Sequence, residues 1–444
     1  MRKNRLPVMA SIVLAMLVSS MDTTIINTTM PVVAAELGHK ELYAWTFAAY
    51  MIFSTVAAPI AGRLSDMFGR KHVFAGGIIF FMLGSLLCGF AGNMIQLVIF
   101  RAVQGLGAGV MMPFPNIIAG DLFSIEQRGK IQAFFSAMWG MSAVLAPVLG
   151  GLFVEQLSWR WIFYINAPVC ILSFVLLLPY QEQYEPRRSR IDGWGAVLFS
   201  SGISLILLTT VVESYRLLYG VAGAALVFVF VRFESRHKSP MVPLELLKNP
   251  PVAWMIVNSF LACCALFGTS SYIPLFLQNE GYSITWSGIP FFGHSLGWMA
   301  VAVFAGKWVI RWGYRRLLII GNAVLAVSGL MLALLSEGRG MVYTTLALIV
   351  QGVAFGLIVT VSIIGSQQLV HPKQKGVSTS LQMFSRNIGT AIGVTIMGTL
   401  LNRAASLYSG IQHLFLFGFL VSLLALASAF MLKGKVEEPQ AVQV

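Results

Sequence analysis

Asp22 and Arg101 each stand inside a long apolar stretch, Asp22 within residues 8–30 and Arg101 within 95–117. A carboxyl group withdrawn from water holds its proton more tightly, so one that is wetted first from one side and then from the other can load a proton and release it. Asp22 is the only carboxylate placed well inside an apolar stretch, which makes it the first choice for proton coupling; the plainer reading is a helix cap or a partner for Arg101. An arginine stays charged under ordinary conditions, so Arg101 must find carbonyls, a carboxylate or water. It reads equally as a tuner of a neighbouring carboxyl and as an anchor between helices. His294, beside Pro290, Phe291, Phe292 and Trp298, reads first as a buried neutral histidine held by one hydrogen bond, and second as a titratable group facing a cavity. Asn27, Gln104, Asn258, Phe291, His294, Trp298 and Gln351 are the candidates to line a substrate cavity, while the amides among them serve equally well as glue between helices. Arg386 is assigned to the membrane interface or to a neighbouring helix.

Other chemistries lack their residues. No Gly-x4-Gly-Lys-Ser/Thr run exists to cradle a nucleotide phosphate, and no His, Asp and Glu cluster lies in an apolar stretch, so neither an ATP-driven pump nor an enzyme is expected. Cys88, Cys170, Cys263 and Cys264 all fall within apolar runs without chelating spacing, and read as packing residues: no metal, no disulfide framework. Nothing resembles a repeated selectivity filter, which argues against a channel. The expected cofactor is none, with a proton gradient as the energy source.

Those residues need a scaffold that water cannot supply. With 57% hydrophobic and 11% charged residues in 444, the chain cannot hide its apolar surface in one water-soluble core. A hydrocarbon layer of about 30 Å takes about 20 helical residues to cross. That ruler gives fourteen candidate spans: 8–30, 43–62, 73–92, 95–117, 131–153, 162–179, 193–212, 216–233, 252–277, 286–309, 316–335, 342–364, 377–401 and 411–432. Arg2, Lys3 and Arg5 precede the first, which reads as a retained helix, since no small-residue cleavage site follows. The net charge of +13 is a topology signal: with both termini cytoplasmic, the outer loops hold only Lys40, Arg160, Arg216, Arg339 and Arg403, and most other basic residues fall in the cytoplasmic loops. No basic tract suggests nucleic acid.

The chain is also duplicated. Gly62-Arg63-Leu64-Ser65-Asp66-Met67-Phe68-Gly69-Arg70-Lys71 lies between the second and third spans, and a degraded copy, Gly306-Lys307-Trp308-Val309-Ile310-Arg311-Trp312-Gly313-Tyr314-Arg315, between the tenth and eleventh. Val103-Gln104-Gly105 recurs as Val350-Gln351-Gly352. Internal repeats of this kind mark a carrier whose halves move against each other. A displacement of eight spans rather than six makes the seventh and eighth an insertion, giving residues 1–180 as an N-terminal six-helix bundle, 181–248 as a linker with two inserted helices, and 249–444 as a C-terminal six-helix bundle.

These motifs resemble the major facilitator superfamily, specifically its fourteen-helix drug:proton antiporters. Residues 62–71 match the loop between the second and third helices, and Met21-Asp22-Thr23-Thr24-Ile25-Ile26-Asn27 with Pro31 resembles the branch's first-helix signature. Arg101 with Gln104, Gly105 and Gly109 is similar to the arginine motif. Ala146-Pro147-Val148-Leu149-Gly150-Gly151 resembles the antiporter motif, with Ser142 and Ala146 where glycines are usual. Trp159-Arg160-Trp161-Ile162-Phe163-Tyr164-Ile165-Asn166 with Pro168 is the most branch-specific match.

The resemblance implies an all-α, multi-pass protein of the cell membrane, plasma or inner, working as a monomer: a proton-coupled antiporter that exports amphipathic or cationic small molecules and so confers antibiotic resistance. An exporter of one metabolite, lipid or siderophore on the same fold is the alternative. It implies a conformational latch of Gly62, Asp66, Gly69, Arg70, Asp121 and Arg128, in which Asp66 reaches toward the start of the thirteenth helix and Arg70 or Arg128 pairs with Asp121. Pro147, Gly150 and Gly151 would be the hinge, allowing a bend or a close helix contact. Ile310 replaces Asp66 in the second copy, so any latch is one-sided. A lone deep carboxylate favours monovalent or neutral substrates over dications.

Overall fold

The computed structural model describes residues 5–38, 42–181, 192–209, 212, 214–237, 240, 245–270, 272–282, 284–336, 338, 340–404 and 406–432; at positions including Asn27 and Pro147 the side chain lies outside the described residues. The described regular structure is helical: α1 (Arg5–Leu37), α2 (Tyr43–Phe68), α3 (Arg70–Gly89), α4 (Met94–Met111), α5 (Phe114–Leu122), α6 (Ile125–Gln156), α7 (Trp161–Tyr164), α8 (Asn166–Leu177), α9 (Gly193–Leu208), α10 (Arg216–Glu234), α11 (Glu245–Lys248), α12 (Pro250–Ser270), α13 (Ile273–Asn279), α14 (Ile284–Ser287), α15 (Ile289–Ala333), α16 (Gly340–Gln368), α17 (Lys375–Asn402) and α18 (Leu407–Phe430). Among the described residues nine helical runs are long and apolar enough to cross a membrane, and the runs 161–177 and 193–208 are shorter but apolar. Large apolar side chains point outward, with Leu217 81% and Val342 75% exposed, which only a lipid surround makes affordable.

Local chemistry sets the breaks. The expected span 95–117 is two helices: Pro113 has no N–H to give α4, and its carbonyl instead accepts from Asn116 and Ile117 (both 3.1 Å) to start α5, which runs on to Leu122. Asn93 caps α4 by accepting from the Gln96 amide at 2.9 Å. The expected spans 286–309 and 316–335 are the two helical parts of α15, which Gly313 separates at a kink with φ +76°. Gly69, joining α2 to α3, has φ +98°; both positions demand a backbone that a side chain disfavours.

The chain forms two compact units, each with its own core. One holds Met1–Leu122, Met141–Leu244 and Lys373–Leu381; the other holds Phe123–Gly140, Glu245–Pro372 and Gln382–Val444. Thus α6 and α17 each begin in one unit and end in the other. In the first, Ile25, Met30, Cys88, Leu97, Trp159 and Phe163 knit α1, α3, α4 and α7 together. Here α9 packs against α2 and α10, with Phe199 and Phe230 rings 5.4 Å apart. In the second, Ala302, Leu318, Leu325, Ala354 and Ala425 form a small-residue core among α15, α16 and α18. The echo of 103–105 in 350–352 is structural as well: a Cβ on Gly105 would meet the Tyr50 carbonyl at 2.6 Å, and one on Gly352 would overlap the His294 carbonyl.

Candidate functional site

Asp22, near the middle of α1, is 2% exposed and is held from three directions. Its Oδ2 accepts from Arg101 Nη1 at 2.6 Å; its Oδ1 accepts from Gln104 Nε2 at 2.8 Å and Asn166 Nδ2 at 3.3 Å. Arg101 and Gln104 sit three residues apart on one face of α4 and also bond each other at 2.6 Å. Arg101 Nε donates to the Thr46 carbonyl of α2 at 3.4 Å, and its guanidinium lies 4.1 Å from the centre of the Tyr50 ring. Behind the amides, Ser85 of α3 accepts from Gln104 (3.3 Å) and Asn166 (2.8 Å) and donates to the Phe163 carbonyl at 2.9 Å. Helices α4 and α8 therefore meet α1 at one carboxylate whose direct partners are a cation and two amides, with α2 and α3 behind them. Losing its negative charge would leave Arg101 buried and uncompensated, so a proton arriving here must rearrange the site.

Gln104, read as cavity lining or as glue between helices, is fully buried and belongs to the carboxylate network that joins them. Asn166 and Ser85 escaped the sequence reading. Asn166 ends the 159–166 motif, but nothing in a lone amide says which helix it faces.

Asp66, at the end of α2 and 3% exposed, accepts from the Gly376 amide at 3.0 Å and the Val377 amide at 2.8 Å, the unpaired N–H groups of the first turn of α17. Arg70 is fully buried, pairs directly with Asp121, lies 3.7 Å from Asp66 and donates to the Ile117 carbonyl at 3.4 Å. Lys71 donates to the Leu178 carbonyl. Gly62 is required by proximity: a Cβ would stand 2.7 Å from the Gly376 carbonyl. Arg128 donates to the Phe123 carbonyl at 3.1 Å and to Gln367 at 3.2 Å. Of the two arginines considered for Asp121, Arg70 takes it.

The second copy keeps the geometry and has no charge at the places of Asp66 and Arg70. Gly306 packs against the start of α6, where a Cβ would meet the Ile125 carbonyl at 2.6 Å and the Gly129 amide at 3.0 Å. Ile310, in the place of Asp66, is 57% exposed, and Tyr314, in the place of Arg70, is buried.

The remaining candidates scatter. Asn258 donates to the Ala425 carbonyl (2.8 Å) and Ser428 (2.9 Å) and accepts from Asn322 (3.2 Å), so it ties α12, α15 and α18 together rather than lining a cavity. Gln351 donates to Thr269 at 3.0 Å. His294 hydrogen-bonds the Leu348 backbone, and its ring and that of Trp298 lie 5.6 and 4.7 Å from the ring of Phe355, with Phe291 nearly a turn before His294 on α15. α6 runs unbroken through Gly150 and Gly151, and a Cβ on Gly151 would meet nothing, so close packing is not its purpose. Arg386, expected at the interface or against a neighbouring helix, reaches the Phe355 ring of α16 at 5.3 Å and the Cys263 thiol of α12.

Comparison with known proteins agrees with this architecture. The family model described as Major Facilitator Superfamily matches residues 12–394 and 295–443. The multidrug transporter protein MdtP of Bacillus subtilis is 33% identical over 98% of this chain and 82% of its own length. The acurin A biosynthesis cluster MFS-type transporter of Aspergillus aculeatus is 29% identical over 88% and 74%. The crystal structure of the human organic anion transporter MFSD10 superposes with a TM-score of 0.73 at 17% identity, covering 97% of this chain and all of that one, and so shares the fold. With the duplicated loop, the buried Asp22 and the apolar helices, these matches place the chain in the major facilitator superfamily, as a multi-pass membrane transporter akin to multidrug efflux proteins.

Proposed function

We propose that the chain is a proton-coupled antiporter that exports amphipathic small molecules, cationic ones among them, across the cell membrane by alternating access of two six-helix bundles, 1–180 and 249–444, with 181–248 as an inserted helix pair. Both termini are cytoplasmic, the working unit is a monomer, and the proton gradient supplies the energy.

The observation that carries this reading is the carboxylate of Asp22 at membrane depth, 2% exposed and held only by groups that donate to its charged form. Release of its proton inward restores the bonds from Arg101, Gln104 and Asn166; uptake from outside releases Arg101 and loosens the contact between α1 and α4. Substrate and proton thereby compete for one arrangement of the same helices. Asp66 contributes the second element: its bonds to the α17 amides hold one arrangement, and each transport cycle breaks and remakes them, at a cost of about 0.3 to 2 kcal/mol for a carboxylate at a helix N-terminus.

The test is reconstitution in liposomes under an imposed pH gradient, following a fluorescent lipophilic cation. Accumulation driven by the gradient in wild type and lost in Asp22→Asn is the expected result. Movement unaffected by the substitution would remove Asp22 from the coupling. Dependence on one compound alone would favour the second reading, a dedicated metabolite exporter, for which the likeness to a biosynthesis-cluster transporter speaks.

A further inference from the structure

The second unit contains an arginine that the proton-coupling reading does not use. Arg386 lies on the fourth turn of α17, its Cζ 5.3 Å from the centre of the Phe355 ring and its head beside the Cys263 thiol. Its head donates to two sulfurs, Nη1 to Met383 at 3.8 Å and the guanidinium to the Cys263 thiol, and its buried Nε has no hydrogen-bond partner. Among the described residues no carboxylate forms an ion pair with it; the carboxylates that pair do so at Arg70, Arg101, Arg160 and His237. Arg101 in the first unit, by contrast, is neutralised at 2.6 Å. A guanidinium inside an apolar bundle without a counter-charge is costly, and such groups usually serve transport.

The neighbours of Arg386 are donors as well. Trp298, 7% exposed, stands edge-on to the same Phe355 ring at 4.7 Å, and its indole N–H is unpartnered. Gln382, one turn before Arg386 and 1% exposed, spends its carbonyl on Ser259 at 2.8 Å and leaves its amide N–H groups unpartnered. Buried donors without acceptors are rare in folded proteins and each one asks for an acceptor from elsewhere. Three of them, one charged, gather beside aromatic rings that an apolar ligand body can stack on.

We infer that Arg386, Trp298 and Phe355 form a subsite for an anionic acceptor group, a carboxylate above all, on an amphipathic substrate. The inference rests on the reading of the chain as an exporter of such compounds and narrows it: a substrate carrying one carboxylate on an aromatic frame is preferred to the same frame without it. No covalent step is involved; the carboxylate exchanges its water for the Arg386 fork and the Trp298 N–H.

Rhodamine B, with a free carboxylate, and its ethyl ester share one ring system and differ at the group in question. Binding of both to the purified full-length protein is measured by fluorescence polarisation, for wild type, Arg386→Gln, Arg386→Lys and Trp298→Phe. In Arg386→Gln the free acid should lose roughly tenfold in affinity, the scale of one charge-assisted hydrogen bond, while the ester stays within about twofold. Arg386→Lys should retain part of the preference for the acid, and Trp298→Phe should lower it severalfold. A parallel loss of both dyes, an unchanged ratio, or a wild type that favours the ester overturns the subsite. Gradient-driven uptake, followed in vesicles of the same preparation, keeps the two readings apart: wild type that selects the acid through Arg386 but ignores the pH gradient refutes proton coupling and leaves the subsite standing.

Discussion

The two copies of the charged loop share a shape and divide the chemistry. In each, a glycine at the start, Gly62 or Gly306, lets a second helix approach to backbone distance, and a glycine at the end, Gly69 or Gly313, takes a φ of +98° or +76°. Gly62 meets the start of α17 and Gly306 the start of α6. Only the first copy adds a charge network: Asp66 on two α17 amides, with Arg70 between Asp66 and Asp121. The second puts exposed Ile310 and buried Tyr314 in those places. Close helix approach is thus the property both copies share, and the charged contacts are concentrated in one. The first copy therefore makes a polar contact with the start of α17, and the second an uncharged, close-packed contact with the start of α6.

The largest test of this contrast is Arg70→Ala against Tyr314→Ala. Removing Arg70 leaves Asp66 and Asp121 buried without their shared cation, a loss of about 3 to 5 kcal/mol. Arg70→Lys should recover only part, since an ammonium cannot fork between the two carboxylates. Tyr314→Ala should cost a cavity term only and should not depend on salt or pH. Thermal melting of the detergent-solubilised protein with transport of a reporter dye separates them; equal, pH-independent losses would mean that Arg70 acts by packing.

Next comes Asp66→Ala against Ile310→Ala. The first removes the bonds from a carboxylate to two backbone N–H groups at a helix N-terminus, about 0.3 to 2 kcal/mol, and should raise the exchange of the Gly376 and Val377 amides with deuterated water. Asp66→Asn keeps a single acceptor oxygen and should fall between. Ile310→Ala, at an exposed position, should change stability by less than about 0.5 kcal/mol. Unaltered exchange at Gly376 in Asp66→Ala would show that α17 holds its first turn without the carboxylate.

What both copies share can be tested at Gly62→Leu and Gly306→Leu. Each pushes a side chain into backbone, at 2.7 Å from the Gly376 carbonyl in one case and 2.6 Å from the Ile125 carbonyl in the other, and overpacking of this kind costs about 1 to 3 kcal/mol. Similar losses in both would sharpen the comparison. A tolerant Gly306 would break it, leaving the second copy as a remnant without a packing role.

The repeat was legible in the sequence because glycine and charge in a fixed short pattern leave a local mark, and so was the isolation of Asp22, since one carboxylate in an apolar run stands out whatever it touches. The helices followed from length and hydropathy, with an error where proline altered a run: Pro113 divided a span, while the break expected between 309 and 316 falls at Gly313. Partners left no such mark. That Arg70 rather than Arg128 takes Asp121, that Asn166 and Ser85 complete the Asp22 site, and that Asn258 binds its own bundle together depend on which helix faces which. Hydrophobic periodicity cannot say this in a lipid-surrounded helix, where inner and outer faces are both apolar. Arg386 is a further case: its place in the sequence left the membrane interface and a neighbouring helix both open, and the fold sets it beside Phe355 of α16 and Cys263 of α12.

The smallest expected effect calibrates the others, because it comes from an ion pair that water reaches. Glu36 accepts from Arg160 Nη1 at 2.7 Å and from the Trp159 indole at 2.9 Å, and the side chains of Glu36 and Arg160 are 50% and 33% exposed. The Arg160 hydrogen bond, helped by the Trp159 N–H and resisted by slight burial, holds the Glu36 carboxyl below the usual carboxylate range. A carboxyl lowered on folding stabilises the fold fully above its unfolded value of about 4.3 and loses that contribution as pH falls through the lower, folded one. Exposure and salt keep the contribution to about 0.2 to 1 kcal/mol. The melting temperature of Glu36→Gln should therefore lie slightly below that of wild type near neutral pH, and the gap should close on acidification below about pH 4. The buried Arg70 network sets the contrasting scale: a gap at Glu36 as wide as that of Arg70→Ala would mean that burial is not what makes the Arg70 network the costlier one to lose.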